Sequence, residues 1–434
     1  MQDQRCIRLS RTLISALISL ALVLFAPSAF AADPAPPLIS PAEVQRSTAP
    51  IPSAQGVKKV IGPLTKTNAW GSFSGMVIDP GSGEVLFDRK GERPLIPAST
   101  AKLATAAAAL KTFGTTHRLT TTTKRFQDTI YLVGGGDTTL TRPQLRKLAR
   151  ETVKALGATK RVNVVFDESL FSGPKLGPGW SKSFPNLGVA APVSALMVGL
   201  GKTAPGARSR VKNPARQAAT LFAQGLKAQG VQVESVVKGV APATATELAQ
   251  HQSVHMTGLI GDLLADSDND LAESLAHLVG GKVVGDASFE GGAQATASIL
   301  KSAGISTAGM KLADGSGLSR SNAISADTLA DLLSVVALGK ESSWWPISAG
   351  LAIAGSTGTL ANRFKTKSTK AGAGVVRAKT GSLTGVSSLA GLVRDDDGRL
   401  LVFALISNKV SSLYSARETM DKIASQLAEC GCTS

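Results

Sequence analysis

The sequence predicts an α+β fold. An antiparallel sheet built from both ends of the chain is flanked by helices in an α/β three-layer arrangement, with an α/β accessory region inserted between. Three observations carry this expectation. Strand patterns open the regular part of the chain at 72–88 and return at 375–407. The stretch between 253 and 338 reads as helix after helix. The block 118–250 alternates strand and helix, as neither end does. The chain has 434 residues, enough for two or three domains, and it contains no internal repeat.

Each element has its local reason. Ser72–Asp79 (SFSGMVID) and Glu84–Asp88 (EVLFD) flank Pro80-Gly81-Ser82-Gly83, a hairpin signal. An Ala-rich helix runs from near Ser99 to Gly114, and alanines on every face predict close packing on several sides. Arg118–Arg125, Thr129–Val133, Arg161–Phe166 and Val231–Val237 read as strands, and Arg142–Leu156 and Ala215–Gln229 as helices. Helices are expected at Thr257–Ala265, Asp268–Val279, Gly291–Ala303 and Ala326–Leu338. Strands follow at Val375–Thr380, Val386–Arg394 and Leu400–Ser407, then an amphipathic helix from Ser412 to Leu427. The expected domains are therefore a discontinuous one, 67–117 with 251–434, and an insert, 118–250.

Met1–Ala31 has the form of a secretory signal. Arg5, Arg8 and Arg11 lead into the apolar run Leu13–Phe25, and Ala29-Phe30-Ala31 supplies a small-residue cleavage pattern. The run is short for a membrane span. The body of the protein is thus expected outside the cytoplasm, periplasmic or wall-associated. Residues 32–66, rich in Pro, Ala and Ser, read as a tether or a loosely docked arm. The net charge is +16; Arg5, Arg8, Arg11 and Asp3 lie in the signal, which leaves +14 on the rest. Such a charge suits an anionic wall polymer, a membrane or nucleic acid. Aromatic residues make up 4 %, too few for a base-stacking platform, and an exported chain does not meet nucleic acid. Cys6 belongs to the signal. Cys430 and Cys432 form a terminal Cys-Gly-Cys whose alternatives are a small disulfide, a weak metal site or a bridge to another chain.

The chemistry is carried by three short motifs. In Ser99-Thr100-Ala101-Lys102 the hydroxyl and the amine lie on one helix face, one turn apart, so the amine can reach the hydroxyl. A buried lysine beside a second cation loses its proton readily and can act as base, while the helix N-terminus favours developing negative charge. Ser-x-x-Lys also occurs at Ser172–Lys175, Ser209–Lys212, Ser235–Lys238 and Ser298–Lys301, so alone it decides nothing. Ser267-Asp268-Asn269 is the chain's one Ser-x-Asn and opens a helix, where it could be merely a cap. Lys379-Thr380-Gly381-Ser382 is its one Lys-Thr-Gly and lies on a strand, where it could be merely a strand and turn. All three, in this order and on these elements, form a serine acyl-transferase constellation.

On these motifs the chain resembles penicillin-binding proteins of the D-alanyl-D-alanine carboxypeptidase/endopeptidase type, low-molecular-mass class C. The resemblance extends through YLVGGGDTTL (Tyr131–Leu140), FSGPKLGPGW (Phe171–Trp180), APVSALMV (Ala191–Val198), DGSGLSR (Asp314–Arg320) and IAGSTGTLANRF (Ile353–Phe364). Thr138 stands where the family usually has proline, and Ser356-Thr357 where Val-Asp is common. The resemblance implies a penicillin-binding/β-lactamase-like transpeptidase fold. It further implies that Ser99 attacks the penultimate D-Ala carbonyl and that Lys102 takes its proton. Ser267 relays a proton to the leaving amine, and Asn269 holds the substrate backbone and Lys102. Lys379 complements the substrate carboxylate and lowers the Lys102 pKa, with Thr380, Gly381 and Ser382 in substrate binding. The backbone N–H groups of Ser99 and Ser382 form the oxyanion hole. The implied partners are peptidoglycan stem peptides ending in D-Ala-D-Ala and β-lactam antibiotics, with no cofactor and no metal.

Other features read more plainly. Gly134-Gly135-Gly136 lacks the ending of a phosphate loop and is expected to be a tight turn. His251 and His255 have metal-ligand spacing but no acidic or Cys cluster. His277 is expected to be packed, Asp395-Asp396-Asp397 to be a solvated turn, and Trp344-Trp345 to be core or loop. Two rivals share the motifs: a β-lactamase or esterase on the same fold, against which stands the lack of a Glu motif for deacylating water, and a retired binding protein of the anionic wall.

Overall fold

The computed structural model describes residues 40–67 and 70–432, which fall within one compact unit spanning 33–434. The expected secretory signal, Met1–Ala31, lies outside the described residues. Among those described, no helix is long and apolar enough to cross a membrane.

Two sheets organise the chain. The first has six strands: β1 (Ser72–Ile78), β2 (Val85–Arg89), β8 (Ala352–Ile353), β9 (Arg377–Leu383), β10 (Val386–Arg394) and β11 (Leu400–Asn408). Their order is β2-β1-β11-β10-β9-β8, antiparallel throughout, so both chain ends share one sheet. The second has five strands: β3 (Thr120–Phe126), β4 (Thr129–Val133), β5 (Arg161–Asp167), β6 (Gln232–Lys238) and β7 (Thr246–Gln252), in the order β6-β5-β4-β3-β7. Helices Arg142–Leu156 and Pro214–Lys227 pack on it, burying Leu148, Phe166 and Phe222 in a core of its own. β8, two residues long, is an edge strand the sequence did not announce, because two residues cannot display a period.

The first sheet is covered on both faces, which explains why β10 and β11 are apolar without alternation. Val402, Ala404 and Ile406 point into a core shared with helices Lys102–Phe113 and Ala326–Ala337. Leu401, Phe403 and Leu405 point the other way, into a core shared with Met420, Ile423 and Leu427 of helix Leu413–Ala428. Phe403 is fully buried, and its truncation to alanine is worth about 3–5 kcal/mol.

Helix Lys102–Phe113 is buried continuously from Lys102 to Leu110. Its alanines let helices Met256–Ala265, Asn269–Val283 and Phe289–Ser302 approach it from several sides. It stops at Gly114, whose φ of +77° suits glycine. Residues 40–67 carry more regular structure than their composition predicts. Ser40 and Glu43 close a capping box on Pro41–Arg46, and Ser53 caps Ala54–Ile61. Val57 and Ile61, one turn apart, are fully buried in the second core. The backbone N–H of Ser53 donates to the carbonyl of Cys432, which is disulfide-paired with Cys430.

Asp395 departs from the solvated turn expected of it. It is 5 % exposed, and its Oδ1 accepts the N–H of Arg399. The Arg399 side chain turns inward to the buried Asp79 at 2.6 and 2.8 Å and to the carbonyls of Ser47 and Ala49.

Candidate active site

Ser99 lies in a 3₁₀ turn, Ala98–Ala101, that leads into helix Lys102–Phe113. The α-helix therefore begins at Lys102 and not near Ser99. The turn seats against β9 and β10: Ser388 Oγ donates to the carbonyl of Pro97 at 2.6 Å, and Thr100 Oγ1 donates to Ser388 at 3.3 Å. Two glycines permit this approach. A Cβ on Gly381 would lie 2.6 Å from the Pro97 oxygen, and one on Gly317 1.9 Å from that of Ala98. Gly317 also has φ +83°, and two non-glycine residues with positive φ flank or form the site, Ala98 at +48° and Ser267 at +62°. Such conformations cost about 1–3 kcal/mol each and persist where surrounding structure holds them.

The three motifs converge. Lys102, fully buried, has Nζ donating to Ser99 Oγ at 2.9 Å, to Asn269 Oδ1 at 2.7 Å and to the carbonyl of Ser316 at 2.7 Å. Lys379, also fully buried, donates to Ser267 Oγ at 2.9 Å and to the Thr380 carbonyl at 3.0 Å. Asn269 is fixed at its other end, with Nδ2 donating to the carbonyl of Val189 at 2.8 Å. Thr380 Oγ1 donates to Thr359 Oγ1 at 2.9 Å. Ser382 follows Gly381 on β9, opposite Ser387 of β10.

Burial pulls the Lys102 amine from 10.5 down to about 8, opposed by the charges of Glu273, Asp314, Asp268 and Asp270. Lys379 is lowered well below its ordinary value, first by burial and then by Lys102. The expectation that Lys379 sets the Lys102 pKa is thus refined. Burial is the leading cause at both amines, with the charge of Lys102 next at Lys379.

Of the supporting layer, Glu273 escaped the sequence reading, whereas Asp314–Arg320 is one of the stretches that carry the resemblance. Glu273, one turn beyond Asn269, is buried and accepts the N–H groups of Gly315 and Ser316 at 3.0 and 2.8 Å. Burial, then the charge of Asp314, raises its carboxyl to about 8. Asp314 accepts Trp180 Nε1, Gly317 N, Ser319 N and Asn322 Nδ2 at 2.5–2.8 Å. Together they shape the loop whose Ser316 carbonyl holds Lys102. The hint was acidic residues inside otherwise buried sequence. The second-sheet block also reaches in: Val189 meets Asn269, and the Ala191 N–H donates to Asp270.

The rival features go elsewhere. Lys175 and Lys238 of two decoy motifs both pair with Glu168. Ser235 Oγ donates to Asn163. His255 Nδ1 lies 2.8 Å from the Thr116 carbonyl, while His251 faces Asp137. His277 is buried between Phe171 and Phe289. Gly135 is confined by backbone, since a Cβ there would sit 1.9 Å from the Thr120 oxygen. Trp344 is buried and Trp345 is 42 % exposed.

A covered antiparallel sheet with a Ser-Lys helix packed against its Lys-Thr-Gly strand defines the penicillin-binding fold. The crystal structure of penicillin-binding protein 4 from Haemophilus influenzae superposes with a TM-score of 0.73 at 24 % identity, covering 84 % of this chain and 97 % of that one. In sequence, the chain is 35 % identical to carboxypeptidase DacB of Mycolicibacterium smegmatis, over 97 % of this chain and 95 % of the relative. It is 36 % identical to a carboxypeptidase of Mycobacterium tuberculosis, over 93 % and 90 %. The D-Ala-D-Ala carboxypeptidase 3 (S13) family matches residues 58–209 and 203–429, and the chain belongs to that family of hydrolases.

Proposed function

We propose that this protein is an exported serine D-alanyl-D-alanine carboxypeptidase that works through an acyl-enzyme on Ser99 and is trapped there by β-lactams. The observation that carries the reading is Lys102 Nζ at 2.9 Å from Ser99 Oγ, on a buried amine brought down to about 8. A base poised near the working pH is what proton abstraction from a hydroxyl needs. Export rests on the N-terminal signal of the sequence, and residues 118–250 are read as an accessory insert of the catalytic domain.

As the neutral amine, Lys102 accepts the Ser99 proton while Oγ adds to the carbonyl carbon of the penultimate D-Ala. The oxyanion falls to the N–H groups of Ser99 and Ser382, worth roughly 3–4 kcal/mol of barrier. The C–N bond then breaks. Ser267 Oγ, held by a hydrogen bond from Lys379, gives its proton to the departing nitrogen and receives in exchange the proton that Lys102 took from Ser99, so Lys102 is neutral again and Lys379 stays charged. The carboxylate of terminal D-Ala sits against Lys379, Thr380 and Ser382. That carboxylate stabilises the charged form of Lys379, and the cation so fixed favours the neutral form of Lys102. Substrate binding thereby prepares the base. Water finally adds to the ester, with the proton again taken by Lys102, and frees Ser99. A β-lactam undergoes the same first step, but its amine stays tethered and the adduct persists.

The test is intact-mass analysis after incubation with benzylpenicillin, with peptide mapping and a Ser99→Ala control. A stable adduct on Ser99, absent from the variant, supports the reading. No adduct with the penicillin intact favours a retired binding protein, and no adduct with the penicillin destroyed favours a β-lactamase.

A further inference from the structure

The positive charge of the molecule is gathered in one place. Residues 118–250 hold 19 of the chain's 47 Lys and Arg but 7 of its 31 Asp and Glu, a net +12, against +4 for all the rest. Solubility asks for charge anywhere on the surface and gives no reason to collect it on the insert.

Within the insert the charge is lined up. Arg142, Arg146, Arg150 and Lys154 recur every four residues along helix Arg142–Leu156. Four residues of helix advance about 6 Å, so the row runs about 18 Å along one ridge. Arg146, Arg150 and Lys154 are exposed, and among the described residues they have no ion pair and no side-chain hydrogen bond. Arg142 reaches only the carbonyl of Thr203, at 3.5 Å, and the neighbouring Lys147 pairs with Glu151. Like charges four residues apart repel and weaken a helix, so the fold itself has no use for this row. What holds the helix is its other face, where Leu145, Leu148, Ala149 and Leu156 are buried on the second sheet.

The shape of the row selects its partner. A single file of cations at steps of about 6 Å suits a linear polyanion with one charge per short repeat. Three of the four are arginines, whose planar forks match phosphate oxygens. A bilayer presents its charge over a plane and rewards an apolar anchor, yet this helix exposes no large apolar side chain. It carries no aromatic residue for stacking bases either. Arg142 and Arg146 also line a groove of about 710 Å³ together with Asp262, Asp266 and Asp268, the last two flanking Ser267. Those three carboxylates repel a polyanion, so it lies away from the catalytic residues, from Arg146 outward to Lys154.

We propose that the row of Arg142, Arg146, Arg150 and Lys154 is a docking surface for a linear, phosphate-bearing polymer of the cell wall, which tethers the enzyme beside its substrate. The surface goes beyond the acyl-enzyme reading and does not depend on it.

The test measures binding of the purified protein to linear inorganic polyphosphate by calorimetry, between about 50 and 200 mM salt. One triple variant, Arg146→Gln with Arg150→Gln and Lys154→Gln, removes the row. A second, Lys301→Gln with Lys311→Gln and Lys340→Gln, removes the same charge from exposed positions outside the insert. The row variant is expected to bind about tenfold more weakly, with the slope of log K against log salt shallower by about 2, and the other variant to stay within about twofold of the parent. Equal weakening in both variants, or no binding by the parent at the lower salt, overturns the proposal. Tighter binding to vesicles of phosphatidylglycerol and phosphatidylcholine than to polyphosphate overturns it in favour of a membrane. A urea melt reports whether each variant is folded. Should the triple variant not fold, Arg150→Gln alone is expected to bind about threefold more weakly, and an unchanged affinity there overturns the proposal equally. Binding is read without catalysis, so failure of the acyl-enzyme reading shows separately, as the absence of a penicillin adduct on Ser99.

Discussion

Gly381→Ala probes the contact on which the site's geometry depends. The new Cβ would stand 2.1 Å from Ser388 Oγ, 2.6 Å from the Pro97 carbonyl oxygen and 3.0 Å from Ser99 N. Ser388 cannot simply turn away, because its hydroxyl donates to Pro97 and accepts from Thr100. Ordinary van der Waals contact begins near 3.4 Å, so the 2.6 Å approach to the Pro97 oxygen must open by about 0.8 Å. That opening moves β9, and with it the Ser382 N–H, away from the turn that carries Ser99. A misplacement approaching 1 Å costs on the order of a hundredfold in rate. Overpacking of a buried contact costs about 1–3 kcal/mol in stability, which leaves the protein folded. The assay is the second-order rate constant for benzylpenicillin acylation, followed by intact mass, with a urea melt beside it. The expectation is a fall of about a hundredfold with a modest loss of stability. Ser388→Ala combined with Gly381→Ala is expected to restore little, since the Pro97 carbonyl remains. A Gly381→Ala protein that acylates within about threefold of the parent would refute the claim that β9 is held rigidly against the Ser99 turn.

Acylation should rise tenfold per pH unit below about 8 and level off above it, because Lys102 acts only after it loses its proton. Asp268→Asn removes a charge that favours the protonated amine, so the rising limb should move to lower pH; a shift to higher pH would contradict the assignment. Asp314→Ala leaves four buried or loop N–H donors without an acceptor, and should cost about 3–5 kcal/mol in a urea melt as well as slowing acylation through the Ser316 carbonyl. Arg399→Ala strands the buried Asp79 carboxylate and should cost about 3–5 kcal/mol, whereas Arg161→Ala at the exposed pair with Glu234 should cost less than about 1 kcal/mol.

Much of this molecule was legible in one dimension. Strand β10 and helix Arg142–Leu156 have the bounds the pattern predicts, because a long apolar run and a long amphipathic period both exceed the noise of single residues. The convergence of Ser99, Lys102, Ser267, Asn269 and Lys379 was readable from three short motifs in a fixed order. Local turns were less so. The helix start moved from Ser99 to Lys102, and the order at 54–61 was hidden because Val57 and Ile61 are too few to show a period.

What the sequence determined by itself is what local chemistry encodes: the periodic elements and the residue types spaced for acyl transfer. What the tertiary structure decided is everything that depends on residues far apart in the chain. It decided which of five Ser-x-x-Lys pairs meets a Ser-x-Asn and a Lys-Thr-Gly, and that Glu273 and Asp314 brace the loop behind Lys102. It also decided that burial, acting before any neighbouring charge, brings the lysine to about 8. Desolvation and through-space charge are properties of three-dimensional surroundings, and a linear pattern does not contain them.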